Sequence, residues 1–348
     1  MSEQGRPPLV DIDRLAGWMD ARGLGGGAIE ALAPLTGGTQ NFLARFRRDG
    51  RDYVLRRPPA HPRSNSNEAM RREARLLAAL ASTDVPHPRL IAACDETEPL
   101  GVSFFLMEAI DGFNATEKLP EPHASDAAIR RRMGLSMVES IAALHRVDYI
   151  AAGLGDFGRP EGYLERQVAR WKSQLDGYRD CAGWPGRHGL PGVDEVADWL
   201  EKHLPPASPA GIVHGDYQFA NVLFRRDNAE LAAIIDWELA SIGDPLVDLG
   251  WLVATWRGAG GPELPVLRVE PWEGFVRVQE LAEHYAKLSS RDLTHIEWYV
   301  VLACYRLGIL LEGTYARACA GRASVQTGAL LHETAVALFG RALHRMNT

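Results

Sequence analysis

Lysine is scarce in this sequence, and the positions of the few lysines restrict its chemistry. The chain has 348 residues, and its 38 basic residues include four lysines, which are Lys118, Lys172, Lys202 and Lys287. A mechanism that needs a strong cation within the first 117 residues must therefore use arginine. Arginine differs from lysine in that it can bind an oxyanion through two nitrogens at once.

Cysteine and long apolar runs are also scarce. The four cysteines include no C-x-x-C pair, which excludes the common zinc motifs and favours reduced thiols. No apolar stretch is typical of a signal peptide or long enough to cross a bilayer. The net charge of −7 argues against a general nucleic-acid binder. These absences predict a cytoplasmic protein without nucleic-acid or membrane partners.

The chain lacks two common catalytic motifs, and a third, the dinucleotide-binding motif, occurs without the strand that must precede it. The chain has no Gly-Lys dipeptide, which excludes a P-loop, and no G-x-S-x-G, which excludes an α/β-hydrolase elbow. The stretch "GLGGGA" at 23–28 fits G-x-G-x-x-A, but an amphipathic helix rather than a strand precedes it. A dinucleotide site is therefore rejected.

The spacing of apolar residues along the chain changes near residue 110. Before it, a short helix at 11–22 is followed by strands with turns at Gly37-Gly38 and "RRDGRD", one helix, and two more extended segments. After it, helical patterns dominate and only the region 212–236 reads as strands. The sequence predicts an α+β protein with a small sheet-rich lobe, 1–110, and a larger helical lobe, 111–348.

Three oxygen-bearing side chains follow apolar runs in the region 212–236. Asp216 and Asn221 lie in "VHGDYQFANVLF", and Asp236 ends "AIIDWE". A hairpin with its loop at 227–230 would set Asn221 opposite Asp236, where facing Cα atoms are roughly 4.5–5.5 Å apart. Oxygen ligands without Cys or His suit Mg²⁺, which also binds substrate phosphates.

Phosphoryl transfer needs oxygen-bearing side chains in two different roles. One carboxylate orients the nucleophile, and two other oxygen-bearing side chains hold the metal ion. Each of the three residues, taken alone, is also typical of a turn or a strand end. Their joint occurrence at these spacings favours phosphoryl transfer.

At these residues the chain resembles the aminoglycoside phosphotransferase-like (APH) family of small-molecule kinases, which share the protein-kinase fold. "HGDYQFAN" matches the catalytic loop of that family, "IDWE" its metal-binding strand end, and "GDPLVDLGWL" the segment that follows. The resemblance implies a two-lobed protein-kinase-like fold, with Asp216 as catalytic acid/base and Asn221 and Asp236 as Mg²⁺ ligands. It also implies that His214 and Asp248 brace the catalytic loop.

In a kinase-like fold, the N-terminal lobe supplies a cationic strand residue and a glutamate that pairs with it. Arg56 in "YVLRRPP" occupies the strand position that is lysine in protein kinases. Its expected partner is Glu73 in "RREARLL", which could otherwise be a solvated helix charge.

Two further segments are expected to contact ATP. Gly37, Gly38 and Thr39 in "LTGGTQNF" are typical of a loop that lies close to phosphates, although an ordinary hairpin turn has the same composition. "FFLMEAIDG" fits the hinge of the kinase fold, where backbone groups from Glu108 to Ile110 would contact adenine.

The acceptor is predicted to be a small molecule with a hydroxyl group. Four arginines interleaved with aromatic residues suit an anionic or amphipathic acceptor, and they are Arg166, Arg170, Arg306 and Arg317. The phrases "YVLRRPP" and "YRLGILLEGTYARACAGRAS" are most similar to the subgroup of kinase domains associated with acyl-CoA dehydrogenases. That resemblance implies a hydroxyacyl-CoA or hydroxy-acid acceptor.

Two other functions stay open from the sequence. One is an antibiotic kinase acting on aminoglycosides or macrolides, whose aminoglycoside-modifying members usually have acidic patches for a polycation. The other is a non-catalytic pseudokinase that binds nucleotide and a partner protein. The presence of Asp216, Asn221 and Asp236 argues against a pseudokinase, and Arg56 in place of lysine leaves it open.

Overall fold

The computed structural model describes residues 10–35, 41–62 and 64–347 and divides the chain into two compact units. Unit 1 comprises residues 1–83 and 87–111, and unit 2 comprises residues 84–86 and 112–348. The predicted phosphate-loop residues Gly37, Gly38 and Thr39 lie outside the described residues.

Unit 1 contains an antiparallel sheet with the strand order β1-β2-β3-β5-β4. A tight turn joins β2 to β3, and its Asp49 and Gly50 have φ values of 51° and 72°. Positive φ at both central residues is the geometry for which Asp-Gly is preferred in hairpins, so the predicted turn is confirmed. The strands are β1 (Glu30–Pro34), β2 (Phe42–Arg48), β3 (Arg51–Arg57), β4 (Leu90–Cys94) and β5 (Phe104–Glu108).

Helix α1 (Ile12–Asp20) covers a buried apolar cluster that includes strand residues. As its periodicity predicts, Leu15, Trp18 and Met19 form the buried face of the helix. The ring of Trp18 meets that of Phe104 edge-on at 4.8 Å between centroids. This contact ties α1 to β5.

Helix α2 (Ser66–Leu80) buries an apolar face that includes Met70, Leu76 and Leu77. Glu73 lies on the same buried face, although a helix glutamate is normally exposed. Burial of this carboxylate requires a partner, which is described with the candidate site.

Unit 2 is mainly helical and contains two short antiparallel strand pairs, β6–β9 and β7–β8. Its strands are β6 (Gly211–Val213), β7 (Val222–Phe224), β8 (Leu231–Ile234) and β9 (Ser241–Gly243). Its helices are α3 (Ala127–Arg146), α4 (Gln167–Asp176), α5 (Val193–Lys202), α6 (Leu246–Ala254), α7 (Val278–Leu288), α8 (Ile296–Cys319) and α9 (Val325–Met346). Among the described residues, no helix combines the length and apolarity that a membrane span requires.

The buried helix α6 lies against α8 with almost no space between the backbones. A Cβ atom built on Gly250 would lie 2.5 Å from the carbonyl oxygen of Tyr299. The absence of a side chain at Gly250 therefore sets how closely α6 approaches α8. This distance matters for the site because α6 also contains Asp248.

We expect Gly250→Ala to destabilise unit 2, because the added methyl group must push α6 away from α8. Overpacking of this kind costs about 1–3 kcal/mol. The matched control is Gly177→Ala, since Gly177 has φ −64° and open space around its Cβ position. Urea unfolding should show a lower midpoint for Gly250→Ala alone. Equal midpoints for the two variants would mean that the α6–α8 distance is not constrained by this glycine.

Candidate active site

Strand β6 leads directly into the loop that contains Asp216. The loop turns at Gly215, which has φ +89°, a conformation that residues with a side chain rarely adopt. A Cβ atom at this position would also lie 2.7 Å from the carbonyl oxygen of Leu239. Both the turn and the close approach therefore require glycine before Asp216.

Asp248 holds this loop through its backbone. Its Oδ2 atom accepts the N–H of His214 at 2.6 Å, and its Oδ1 atom accepts the N–H of Gly215 at 2.7 Å. The carboxylate is fully buried, where such charge-assisted hydrogen bonds are strong. Asp248 therefore braces the loop, in agreement with the role that the family resemblance implies.

The ring of His214 is a second brace. Its Nε2 atom is 3.0 Å from the carbonyl oxygen of Ile235, and its Nδ1 atom accepts the N–H of Asp216 at 3.3 Å. A carbonyl can only accept and an amide N–H can only donate, so these contacts assign the proton to Nε2. Both ring nitrogens are thus engaged, which fits a structural histidine rather than one that transfers protons.

The Asp216 carboxylate is half-buried and hydrogen-bonded at both oxygens. Gln218 Nε2 donates to Oδ1 at 2.5 Å, and Asn221 Nδ2 donates to Oδ2 at 2.6 Å. Burial raises the pKa of Asp216 and the nearby charge of Asp236 adds to the rise, while His214 and the two amide donors oppose it. The sequence interpretation did not include Gln218, since a single Gln in a loop has no distinguishing pattern.

The predicted register of the β7–β8 hairpin is wrong by one residue. Val222 pairs with Ile234, and the N–H of Ile235 donates to the carbonyl of Asn221 at 2.9 Å. Asn221 therefore faces Ile235 rather than Asp236. The loop lies at 226–229 instead of 227–230, which moves the partner of Asn221 by two residues. An irregularity after Leu223, typical of a β-bulge, moves it back by one.

Asp236 nevertheless belongs to the same electrostatic environment. It follows the end of β8 and has φ 62° and ψ 68°, the left-handed region that is uncommon for residues other than glycine. Such backbone strain is concentrated at functional sites. Its charge also contributes to the raised pKa of Asp216, so the two carboxylates interact.

The oxygen atoms of this group suit a hard cation. The amide nitrogen of Asn221 is bound to the side chain and the carbonyl of Asp216, at 2.6 and 2.9 Å, which turns its Oδ1 atom away from those contacts. An amide oxygen and a carboxylate are the donors that Mg²⁺ binds together with phosphate oxygens. The residues present therefore fit the predicted metal ion.

Asn114 is a residue of this region that the sequence interpretation missed. Its Nδ2 atom lies 2.8–3.0 Å from the carbonyl oxygens of Phe219, Ala220 and Val222. These residues flank Asn221, so Asn114 holds the backbone on both sides of it. No local signal in "DGFNAT" indicates this role, because the contact joins distant parts of the chain.

Unit 1 contains the Arg56–Glu73 ion pair that the sequence predicts. The Arg56 Nε and Glu73 Oε2 atoms are 2.8 Å apart, and both side chains are buried. At the end of β5, the N–H of Glu108 already donates to the carbonyl of Arg89 at 2.9 Å. Ile110 follows this strand and is half-buried. Binding of a nucleotide by these residues stays a prediction.

These features agree with the kinase family that the sequence resembles. The chain belongs to the phosphotransferase enzyme family (APH), whose model matches residues 31–281. Acyl-CoA dehydrogenase family member 10 of Mus musculus is 29% identical over 294 residues, which cover 83% of this chain. They cover 27% of that protein, so the chain spans about a quarter of the length of this curated relative.

Solved structures confirm the α+β, protein-kinase-like fold. A Ralstonia eutropha JMP134 protein classed with the aminoglycoside phosphotransferases matches with a TM-score of 0.80 and 28% identity, over 97% of this chain and 98% of that one. A thermostable mutant of APH(4)-Ia, in complex with AMP-PNP and hygromycin B, matches with a TM-score of 0.56 and 17% identity. That match covers 91% of this chain and 97% of the other.

We expect Asp248→Asn to destabilise unit 2, because an asparagine offers one acceptor where two buried N–H groups need one each. A buried donor without a partner costs about 1–3 kcal/mol. Urea unfolding should show this loss, and the control Asp227→Asn, in the exposed β7–β8 loop, should leave the unfolding midpoint unchanged. A stable Asp248→Asn protein would show that the loop does not depend on the carboxylate.

Proposed function

We propose that this chain transfers the γ-phosphoryl group of ATP to a hydroxyl group of a small molecule in the presence of Mg²⁺. The observation that carries the proposal is the Asp216 carboxylate on a loop whose backbone is held by Asp248, with Asn221 bound to it and the charge of Asp236 acting on it. Family membership supports the reaction class.

Asp216 is proposed to orient the acceptor hydroxyl and to take its proton. As the O–H bond breaks, the hydroxyl oxygen bonds to the γ-phosphorus, and the bond from that phosphorus to the leaving oxygen of ADP breaks. A carboxylate with a raised pKa binds a proton more strongly. The raised pKa of Asp216 therefore suits a residue that takes the proton of the acceptor hydroxyl. The hydrogen bonds from Gln218 and Asn221 fix the direction of the carboxylate before the acceptor arrives.

Asn221 and Asp236 are proposed to hold Mg²⁺ through their oxygen atoms. The ion would neutralise charge on the phosphate oxygens. In this arrangement Asn221 has two functions, because its amide nitrogen positions Asp216 while its oxygen serves the metal.

In unit 1, Arg56 is proposed to bind ATP phosphates, with Glu73 keeping the guanidinium in place. An arginine has five N–H donors, so the contact of Nε with Glu73 does not exhaust it. The backbone from Glu108 to Ile110 is proposed to contact adenine, and Gly37, Gly38 and Thr39 the phosphates. The AMP-PNP in the APH(4)-Ia structure supports ATP as the nucleotide.

The acceptor is proposed to be a hydroxyacyl-CoA or a hydroxy acid. Similarity to an acyl-CoA dehydrogenase family member supports a substrate of acyl-CoA metabolism. Arg170 is exposed and lies over the ring of Trp171 at 5.4 Å, which suits an anionic group. An antibiotic kinase is the second candidate, favoured by the Ralstonia match to the aminoglycoside phosphotransferases.

The test is ³¹P NMR of Mg·ATP with pools of hydroxyacyl-CoAs, hydroxy acids, aminoglycosides and macrolides. A new phosphomonoester signal should appear together with ADP in the hydroxyacyl pool. A signal in an antibiotic pool alone would establish the second candidate. Nucleotide binding without transfer to any pool, and without Mg²⁺-dependent ATP loss, would favour the pseudokinase.

We expect Asp216→Ala to lower turnover by about 10²–10⁴-fold, the usual contribution of a general base. Binding of Mg·AMP-PNP, measured by calorimetry, should change little, since Asp216 is proposed to contact the acceptor. Asp227→Ala in the exposed loop is the matched control and should retain full turnover. Near wild-type turnover in Asp216→Ala would contradict the assignment.

We expect Arg56→Met to destabilise unit 1 by about 3–5 kcal/mol, because it leaves the buried Glu73 carboxylate without its cation. The double variant Arg56→Met/Glu73→Met should recover that stability but not the affinity for Mg·AMP-PNP. Calorimetry and urea unfolding measure the two effects separately. Wild-type nucleotide affinity in the double variant would show that Arg56 has only a structural role.

A further inference from the structure

Arg306 is a buried arginine of α8 that lies next to the candidate catalytic loop. Its side chain is 4% exposed, and its guanidinium lies over the rings of Trp171 and Trp251, at 5.3 and 5.0 Å from their centroids. The sequence interpretation placed Arg306 among the acceptor contacts. The structure instead packs it within the interior of unit 2.

The hydrogen bonds of Arg306 are few for a buried cation. Nη2 donates to the carbonyl oxygen of Gly215 at 3.2 Å, whereas Nε and Nη1 have no hydrogen-bond partner among the described residues. No carboxylate of the described chain forms an ion pair with it. Burial lowers the pKa of Arg306, as expected for a charge in apolar surroundings.

Arg341 of α9 is a second buried arginine of the same unit, and it has three hydrogen-bond acceptors although its Nε atom has none among the described residues. It is fully buried, and it donates to the carbonyl oxygens of Ala254, Trp256 and Pro262 at 2.6–3.2 Å. These contacts join α9 to the last residue of α6 and to the chain after it, so Arg341 stabilises the fold. Arg306 has one such contact, so its burial is poorly compensated in comparison.

The one hydrogen bond that Arg306 forms with the described residues falls on the peptide group that joins Gly215 to Asp216. Arg306 binds the carbonyl oxygen of this peptide, and His214 Nδ1 accepts its N–H at 3.3 Å. The peptide is therefore held at both ends, directly before the Cα atom of Asp216. A rotation of this peptide would redirect the Asp216 carboxylate.

We infer that Arg306 is a positioning residue for Asp216, retained at the expense of fold stability. The inference rests on the proposed phosphotransfer function. It follows from the pairing of a poorly compensated buried charge with a hydrogen bond to the backbone of the proposed catalytic loop. Replacing buried ion pairs with apolar side chains of similar size is often neutral or stabilising, and Arg306 lacks even the partner charge that such a pair provides.

The test compares Arg306→Met with the matched control Arg341→Met in the full chain. We expect Arg306→Met to leave the thermal midpoint unchanged or raised, yet to lower kcat at least 10-fold with less than a 2-fold change in KM for ATP. Hydrogen exchange should become faster in the peptide that contains residues 213–221. Arg306→Lys, which keeps a charged donor, should restore part of kcat. Arg341→Met should lower the midpoint without changing kcat per folded molecule.

Retention of full kcat by Arg306→Met would overturn the inference, and so would a loss of kcat that merely follows a lowered thermal midpoint. Failure of the proposed function can be told apart from failure of the Arg306 inference, because the wild-type chain would then transfer phosphate to no acceptor pool. In that case hydrogen exchange tests the positioning role of Arg306 without any measurement of activity. Unchanged exchange at 213–221 in Arg306→Met would overturn the positioning role.

Discussion

The hydrogen bonds between the Asp248 carboxylate and two consecutive backbone N–H groups are the constraint on which the candidate site depends. They connect the interior of α6 to His214 and Gly215, at the point where β6 ends. His145 lies on the other side of the carboxylate, with its Nε2 atom 3.5 Å from Oδ2. Because Asp248 is fully buried, water cannot replace these partners, and a loop conformation that broke them would leave buried polar groups unsatisfied.

The sequence predicts the local parts of the site and fails where distant contacts decide. The spacing of Asp216 and Asn221 is local, and the structure joins them by hydrogen bonds within one turn. The predicted register of Asn221 against the strand before Asp236 is wrong by one residue, because an apolar run shows neither where the hairpin loop lies nor where a bulge will form. The roles of Asn114 and Arg306 could not be predicted, since each joins segments that are far apart in the sequence.

The shortage of lysine has a structural counterpart in unit 1. A buried arginine can form an ion pair through Nε and still have other donors, whereas a lysine has a single nitrogen for every contact. The 2.8 Å distance from Arg56 Nε to Glu73 fits this use. The strands and the helix that contains Glu73 follow from ordinary strand and helix patterns, and the ion pair follows from the kinase-like fold that the family resemblance implies. The ion pair was therefore predictable, whereas nucleotide binding by unit 1 stays a prediction.

The loop before Asp216 is held by opposite charges acting on backbone dipoles. The anion Asp248 accepts the N–H of Gly215, and the cation Arg306 binds its carbonyl oxygen. Both contacts are made to the main chain, so neither uses an oxygen of the Asp216 carboxylate. The φ of +89° at Gly215 is the conformation in which one residue meets both charges. The site therefore combines a fixed backbone with a half-buried carboxylate, and the proposed proton acceptance from a bound hydroxyl would use both.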